Sequence, residues 1–439
     1  MGNKRKIYIL TNFSQYLKSY SPIIVVGQQI EMFKRAGYEP VLITSQGWNP
    51  PESSIFSSVE TRRLSGVNID GTNVDEAFEA DVDLLYDEMS EILEDESVVF
   101  THDLVFLPDY VKLNVACRRV AEEQPSIQWI HLIHSATAPG LLIQERAMYG
   151  EKYKELLMSK FPNSTIIYPN AYDIPRVAMN YSYEENEVVE VPHSTNPVEG
   201  MSPIVQRLFN DKKLWEPEIL VIYPIRLDRG KYCEAQIYLM AGCKANATTS
   251  HVVFCDFQST GGDKVAYRDE LKALAERLEV SDRVTFLSEF EESASMEVSH
   301  DVILDFFTLS NVFLLPSKSE TYSLIAQEAM LKGNLCLLNH DFAPFRQIYG
   351  KNALYKQFDG ANISMSGTDG EITTSHSNIA EYYHIMACNI KYYLENEKVI
   401  RAKTWVRTQR NPDTVFRNYI EPLLTREVEQ NEVHRNVSA

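Results

Sequence analysis

The sequence predicts an α/β protein of two Rossmann-like, doubly wound domains, each a mostly parallel sheet with helices on both faces. Three observations predict it. A chain of 439 residues is too long for one small core and suits two domains of about 200 residues each. Short apolar runs alternate with stretches of helical periodicity along most of the chain. That rhythm lapses once, over 194–218, where no long apolar strand is found and several prolines occur, and then restarts.

Taken in order, residues 6–10 (KIYIL) predict a strand, 21–36 a helix after a loop, and 39–44 a second strand, the opening of a βαβ unit. The stretch 75–95 is acidic, with Phe78, Val82, Leu85 and Met89 at helical spacing, which predicts a helix with a solvated face and not a metal site. Strands are expected over 104–108, 127–133, 164–168 and 187–191. After the lapse come a strand over 219–223, a helix over 232–241 and a strand over 251–255. A helix over 269–278 and strands over 284–287 and 312–315 follow, then a helix over 323–331 and a strand over 334–338. Residues 361–377 are polar and contain glycine, as a loop would, and the chain reads as helical from 379, through 393 and again over 397–408. The polar tail 427–439 is expected to fray. The domains predicted are 1–200, 201–385 and a closing set of helices over 386–439.

Composition narrows the partners. The chain has 42 Lys and Arg against 61 Asp and Glu, a net charge of −19, which argues against a general polyanion binder while leaving room for a local basic patch. The start, MGNKRKIYILTNF, lacks the apolar length of a secretory signal, and the site where myristoylation wants Ser or Thr is basic. No run reaches the length of a membrane span. Asn-x-Ser/Thr triplets at Asn12, Asn163, Asn180, Asn246, Asn362 and Asn436 are therefore read as chance. The six cysteines are dispersed with no CxxC pair, which predicts buried, reduced side chains, no zinc site and a cytoplasmic setting.

Two segments carry chemistry. In LLPSKSETYSLIAQEAMLKG, residues 314–333, a strand ends at Pro316, a small polar loop follows, and a helix begins near Ser323, a candidate cap. A loop and helix start at the carboxyl end of a parallel strand offer free backbone N–H groups to a phosphate. Glu320 sits in the loop and Glu328 eight residues later among Ile325, Ala326, Ala329 and Met330. Spacing alone leaves Glu328 as either a solvated helix residue or a carboxylate accepting the two hydroxyls of a ribose. In ILVIYPIRLDRGK, residues 219–231, a strand runs into a turn carrying Arg226, Arg229 and Lys231. Cations there suit a diphosphate whose charge grows as a bond breaks, although a solvated basic turn fits as well.

Together these residues resemble the retaining GT-B glycosyltransferases, specifically their large fourth family. The family signature Pro-Ser-x-x-Glu, Phe-Gly-Leu, Glu-Ala-Met is matched by Pro316, Ser317, Glu320, then Tyr322-Ser323-Leu324, then Glu328-Ala329-Met330. Its Gly-Arg-Leu with a following Lys is matched by Ile225-Arg226-Leu227 and Lys231. DRVTFLSEF, residues 282–290, resembles the strand and loop that face the nucleotide base, with Leu287 as the contact.

The resemblance implies a GT-B fold with the two domains facing across a cleft, and helices crossing back to the first domain. It implies that Arg226 and Lys231 hold the donor diphosphate, that Glu328 binds the ribose, and that Glu320 faces the transferred sugar or its phosphate side. Amides near Ser323 and Leu324, beside Tyr322, would meet the distal phosphate. In the first domain the family's Gly-Gly loop is represented by Gly27 alone, and its strand-end histidine by His134, chosen over His131 because it lies nearer the strand end. Pro192-His193-Ser194-Thr195-Asn196 stands where the family has Asn-Gly.

The reaction implied is transfer of a hexosyl or pentosyl group from a nucleoside-diphosphate sugar to an acceptor hydroxyl, with retention. The catalytic set is Arg226, Lys231, His134 and Glu320. No cofactor or metal is required, and the base (UDP, GDP or ADP) and the acceptor stay open. Three other readings remain: another GT-B chemistry such as a sugar-nucleotide epimerase or a phosphorylase, a non-catalytic sugar-nucleotide or glycan-binding scaffold, and a glycosyltransferase acting on nucleic acid, which the acidic balance disfavours.

Overall fold

The computed structural model describes residues 4–65, 74, 76–134, 150–224, 226–256, 264–295, 297–317, 320–358 and 379–425. The chain divides into two compact units, Met1–Thr195 with Pro412–Ala439, and Asn196–Asn411. Both are α/β, each with one parallel sheet and helices between successive strands.

The sheet of the first unit has the order β3-β2-β1-β4-β5-β6-β7. Its strands are β1 Ile7–Leu10, β2 Val41–Thr44, β3 Glu60–Arg63, β4 Val98–His102, β5 Gln128–Leu132, β6 Ser164–Tyr168 and β7 Val188–Glu190. The apolar run IYIL is continuous because both faces of β1 are covered: Ile7 and Ile9 enter one core, Tyr8 and Leu10 the other. The helix Ser21–Arg35 carries Pro22 in its first turn and buries Ile23, Val26, Ile30 and Phe33. It ends where Gly37 takes a left-handed φ of 77°, which lets the Tyr38 N–H reach back to Phe33 O at 2.9 Å. Residues 412–425 belong to this unit. Their Val415, Ile420, Leu423 and Leu424 join the core beside that helix, and Asp413 pairs with Arg35.

The sheet of the second unit has the order β10-β9-β8-β11-β12-β13. The strands are β8 Ile219–Tyr223, β9 Ser250–Phe254, β10 Val284–Phe286, β11 Val312–Leu315, β12 Leu335–Asn339 and β13 Leu354–Lys356. The helices Glu234–Ala245 and Ile379–Asn396 lie so close that a Cβ built on Gly242 would stand 2.3 Å from Tyr383 O.

Strand order reverses between β1 and β4 in one sheet and between β8 and β11 in the other. The carboxyl ends at such a reversal are where doubly wound sheets open a crevice for ligands.

The structure corrects some sequence expectations. No strand covers 104–108. The strand is Val98–His102, and Asp103, at φ 56°, turns the chain so that Leu104, Val105 and Phe106 enter the core from a turn whose Phe106 N–H bonds Asp103 O at 2.9 Å. Burial of those side chains imitates a strand in the sequence. The edge strand β3, Glu-Thr-Arg-Arg, shows no apolar run because it is largely exposed. The expected loop over 361–377 and the tail over 427–439 lie outside the described residues. All six cysteines are free, and all but the half-buried Cys388 are buried.

Candidate functional site

In the second unit the turn leaving β8 is held rigidly. Asp228 accepts the Gly230 N–H on its side chain and the Lys231 N–H on its carbonyl, both at 2.8 Å. The buried Tyr223 donates its hydroxyl to Lys231 O at 2.8 Å, and Tyr232 completes the turn at φ 50°. This framework aims Lys231 across the reversal point at the loop leaving β11, where its Nζ lies 2.5 Å from Glu320 Oε1. Both side chains are mostly covered, 13% and 19% exposed. Arg229 turns away and is taken up by both oxygens of Glu270, at 2.6 and 2.7 Å. Arg226 is half-buried and has no hydrogen-bonding or ionic partner among the described residues.

The loop after β11 begins with Pro316 and Ser317, whose hydroxyl is buried and has no partner among the described residues, and resumes at Glu320 beyond residues 318 and 319, which lie outside them. Tyr349 donates its hydroxyl to the carbonyls of Tyr322 and Ser323, at 2.9 and 2.8 Å, and so fixes the entry to the helix Leu324–Leu331. Ser323 stands at the cap position but does not cap with its side chain. Its φ of 69° and ψ of 73° are left-handed, whereas a capping serine needs extended backbone, and its hydroxyl is buried without a partner among the described residues. Glycine, the residue of the resembled signature, adopts that conformation freely. Tyr322 and Leu324 are exposed. Glu328 is half-buried, with Oε1 at 2.9 Å from His300 Nε2.

Leu287 is fully buried at the end of β10. Its neighbour Ser288 is clamped by Asp256, which accepts the backbone N–H at 3.0 Å and the hydroxyl at 2.5 Å, while Arg268 donates to the same hydroxyl at 2.8 Å. Burial raises the Asp256 carboxyl above its usual range against the lowering effect of the Ser288 bonds.

In the first unit, Gly27 lies inside the helix Ser21–Arg35. A Cβ there would meet Ile55 Cγ2 at 3.4 Å, so this glycine sits in helix packing and not in a loop. His134 follows β5. Its N–H donates to Asp103 Oδ1 at 2.9 Å, its Nε2 lies 3.0 Å from His102 Nδ1, and its ring stacks on His193 with centroids 6.1 Å apart. His102 Nε2 in turn meets Gln29 Oε1 at 2.9 Å. Burial pulls the His134 imidazole down to about 4 and pushes the Asp103 carboxyl up to about 6. His131 is wholly buried within β5, bonded to Thr101 Oγ1 at 2.7 Å, and takes no part in this cluster. Among the described residues no group of three or more His, Cys, Asp or Glu is placed to hold a metal ion, and no helix is long and apolar enough to cross a membrane.

The expected residues thus fall into separate settings. Lys231 and Glu320 meet, Tyr322, Ser323 and Leu324 form one loop, Glu328 pairs with His300, and Gly27 and His134 belong to the first unit. His102, Gln29, Asp256 and His300 escaped the sequence reading. His102 closes the strand VVFTH, and it becomes a strand-end residue only once that strand is placed at 98–102.

No curated protein matches the chain in sequence. Among solved structures, a glycosyltransferase from Rickettsia africae aligns at 11% identity over 96% of this chain and 98% of its own, TM-score 0.36. The Anabaena protein HepE in complex with UDP and glucose aligns at 12% identity over 96% and 100%, TM-score 0.36. Sucrose-phosphate synthase from Thermosynechococcus elongatus aligns at 17% over 96% and 96%, TM-score 0.33. Scores this low bear no functional weight. The family comparison is specific to the unit that carries the Lys231–Glu320 pair: residues 205–353 match the family described as glycosyl transferases group 1. That match spans about a third of the chain and lies wholly within the second unit.

Proposed function

We propose that the chain is a retaining glycosyltransferase that moves a hexosyl or pentosyl group from a nucleoside-diphosphate sugar to an acceptor hydroxyl, acting in the cytoplasm. The observation that carries the reading is the Lys231–Glu320 pair at the strand reversal of a unit that matches the glycosyl transferases group 1 family. Arg226, which lacks a partner among the described residues, and Lys231 supply positive charge where a diphosphate would depart, and they stabilise that charge without a metal ion. The loop from Ser317 to Leu324 contributes two hydroxyls without a partner among the described residues and a helix start, groups suited to phosphate oxygens. Glu328 takes the ribose hydroxyls, exchanging its bond to His300 for them, and Glu320 turns from Lys231 to the sugar. The turn at Leu287 and Ser288 lies beside the base, and His134 serves the sugar or acceptor end. Transfer proceeds on one face of the sugar, with the leaving phosphate taking the acceptor proton.

The test is calorimetric titration with a panel of nucleoside-diphosphate sugars that vary base and sugar, followed by product analysis of transfer and slow hydrolysis, with and without EDTA. One donor should bind and react with its anomeric configuration retained, and EDTA should leave the rate unchanged. Absence of binding by every donor, an inverted product, or activity that depends on an added divalent ion would overturn the reading in whole or in the corresponding part.

A further inference from the structure

At the carboxyl ends of β4 and β5 the first unit holds a chain of three polar side chains: Gln29, His102 and His134. Gln29 is 6% exposed and His102 4%, so the contact between them is buried, while that between His102 and His134 is part-buried. The contacts are also in sequence. Gln29 Oε1 meets His102 Nε2 at 2.9 Å, and His102 Nδ1 meets His134 Nε2 at 3.0 Å. Burial, joined at His102 and His193 by the neighbouring rings, holds His102, His134 and His193 below the ordinary imidazole range, so the rings are neutral near pH 7.

A neutral imidazole carries one proton on one of its two nitrogens, and a hydrogen bond between two rings needs one proton and one lone pair. An amide oxygen only accepts. His102 therefore carries its proton on Nε2 and offers a bare Nδ1. His134 must then carry its proton on Nε2, which leaves its Nδ1 as a lone pair. That Nδ1 has no partner among the described residues, and the His134 side chain is only partly buried. Asp103 fixes the ring's origin: in a left-handed conformation at φ 56°, it donates its N–H to Leu132 O at 3.0 Å and accepts the His134 N–H at 2.9 Å.

We propose that Gln29 and His102 are positioning residues that lock His134 in a single tautomer, so that the first unit presents a fixed hydrogen-bond acceptor, His134 Nδ1, to a substrate hydroxyl. The use made of that acceptor rests on the glycosyl-transfer reading. A fixed acceptor favours a ligand group that donates, such as a sugar hydroxyl, over a group that only accepts, such as a phosphate or carboxylate oxygen. In the reverse tautomer the preference would be reversed.

The test is histidine-selective 15N NMR of the full chain without ligand, with His134 assigned by loss of its signals in His134→Asn. The expected spectrum shows His134 with a pyrrole-type Nε2 and an imine-type Nδ1. Gln29→Met, which removes the acceptor, should let both tautomers exchange and average the two signals. A pyrrole-type Nδ1 in the wild type, or averaged signals there, overturns the proposal whatever the variants do. So does an unchanged pattern in folded Gln29→Met. These readouts need neither donor nor turnover. A chain with the expected spectrum and no sugar transfer defeats the functional reading alone, and a transferring chain with the reverse spectrum defeats this proposal alone.

Discussion

Arg226 and Lys231 come from one turn, yet their surroundings predict different consequences on removal. Arg226 has no protein partner among the described residues, so Arg226→Ala should change stability by less than about 0.5 kcal/mol. Lys231→Ala leaves the Glu320 carboxylate mostly covered and unpaired, and should lower both stability and turnover. Either variant should lose up to about 2.7–4 kcal/mol of transition-state stabilisation, the scale of a lost electrostatic contact, and less if the two cations share the load. Thermal unfolding with kcat/KM on the two variants checks this, and wild-type turnover in both would remove the diphosphate assignment. Ser323 offers a second residue-scale prediction. At φ 69° a residue with a Cβ pays about 1–2 kcal/mol of local strain. Ser323→Gly should relieve more than the glycine adds in chain entropy and raise stability by up to about 1 kcal/mol. A fall in the melting temperature would mean that the serine hydroxyl matters more to the fold than its backbone costs.

At the scale of elements, the helices Glu234–Ala245 and Ile379–Asn396 depend on a missing side chain. A methyl at position 242 would fall 2.3 Å from Tyr383 O and 2.5 Å from its carbonyl carbon, and backbone atoms cannot step aside as a side-chain tip can. Gly242→Ala, which favours the helix itself by about 0.5–1 kcal/mol, should therefore destabilise the unit by about 1–3 kcal/mol. Urea unfolding would show it, and a stabilised variant would mean that the helices are free to separate. The same scale explains the misplaced strand. Leu104, Val105 and Phe106 are as apolar as a strand, but Asp103 turns the chain before them, and a left-handed aspartate leaves no mark in a hydrophobicity pattern.

For the whole molecule, burial sets a pH dependence. His131, His134 and His251 are lowered, to about 3, 4 and 4, chiefly by desolvation. The unfolded chain binds these protons first, near pH 6.5, so the stability they allow is fully present above that pH and is lost as pH falls toward the folded values. Each can contribute a slope of up to about 1.4 kcal/mol per pH unit. Asp103, raised to about 6 by burial, works in the opposite sense: its folded form holds a proton that the unfolded chain releases, which favours the fold below about 6. The histidines outnumber it, so the urea midpoint should fall between pH 7 and 5, gently at the start and more steeply once the pH is below about 6.5, and His251→Gln should flatten the fall. A midpoint constant over that range would contradict the burial of these rings.

Strand and helix content, the division into two doubly wound units and the loops around Lys231 and Glu320 were legible in the sequence. Doubly covered strands such as IYIL and VFLL must be apolar throughout, and the turns after them must be polar. Which of those polar residues meet was decided by the tertiary structure. Lys231 and Glu320 are 89 residues apart and come together only because β8 and β11 are neighbours in the sheet. Gln29, His102 and His134 are brought into line by the same kind of reversal between β1 and β4, across 73 and 32 residues of chain. Local patterning records which face of an element is buried. It carries no record of which strand will lie beside which, because that is settled by the packing of the whole sheet.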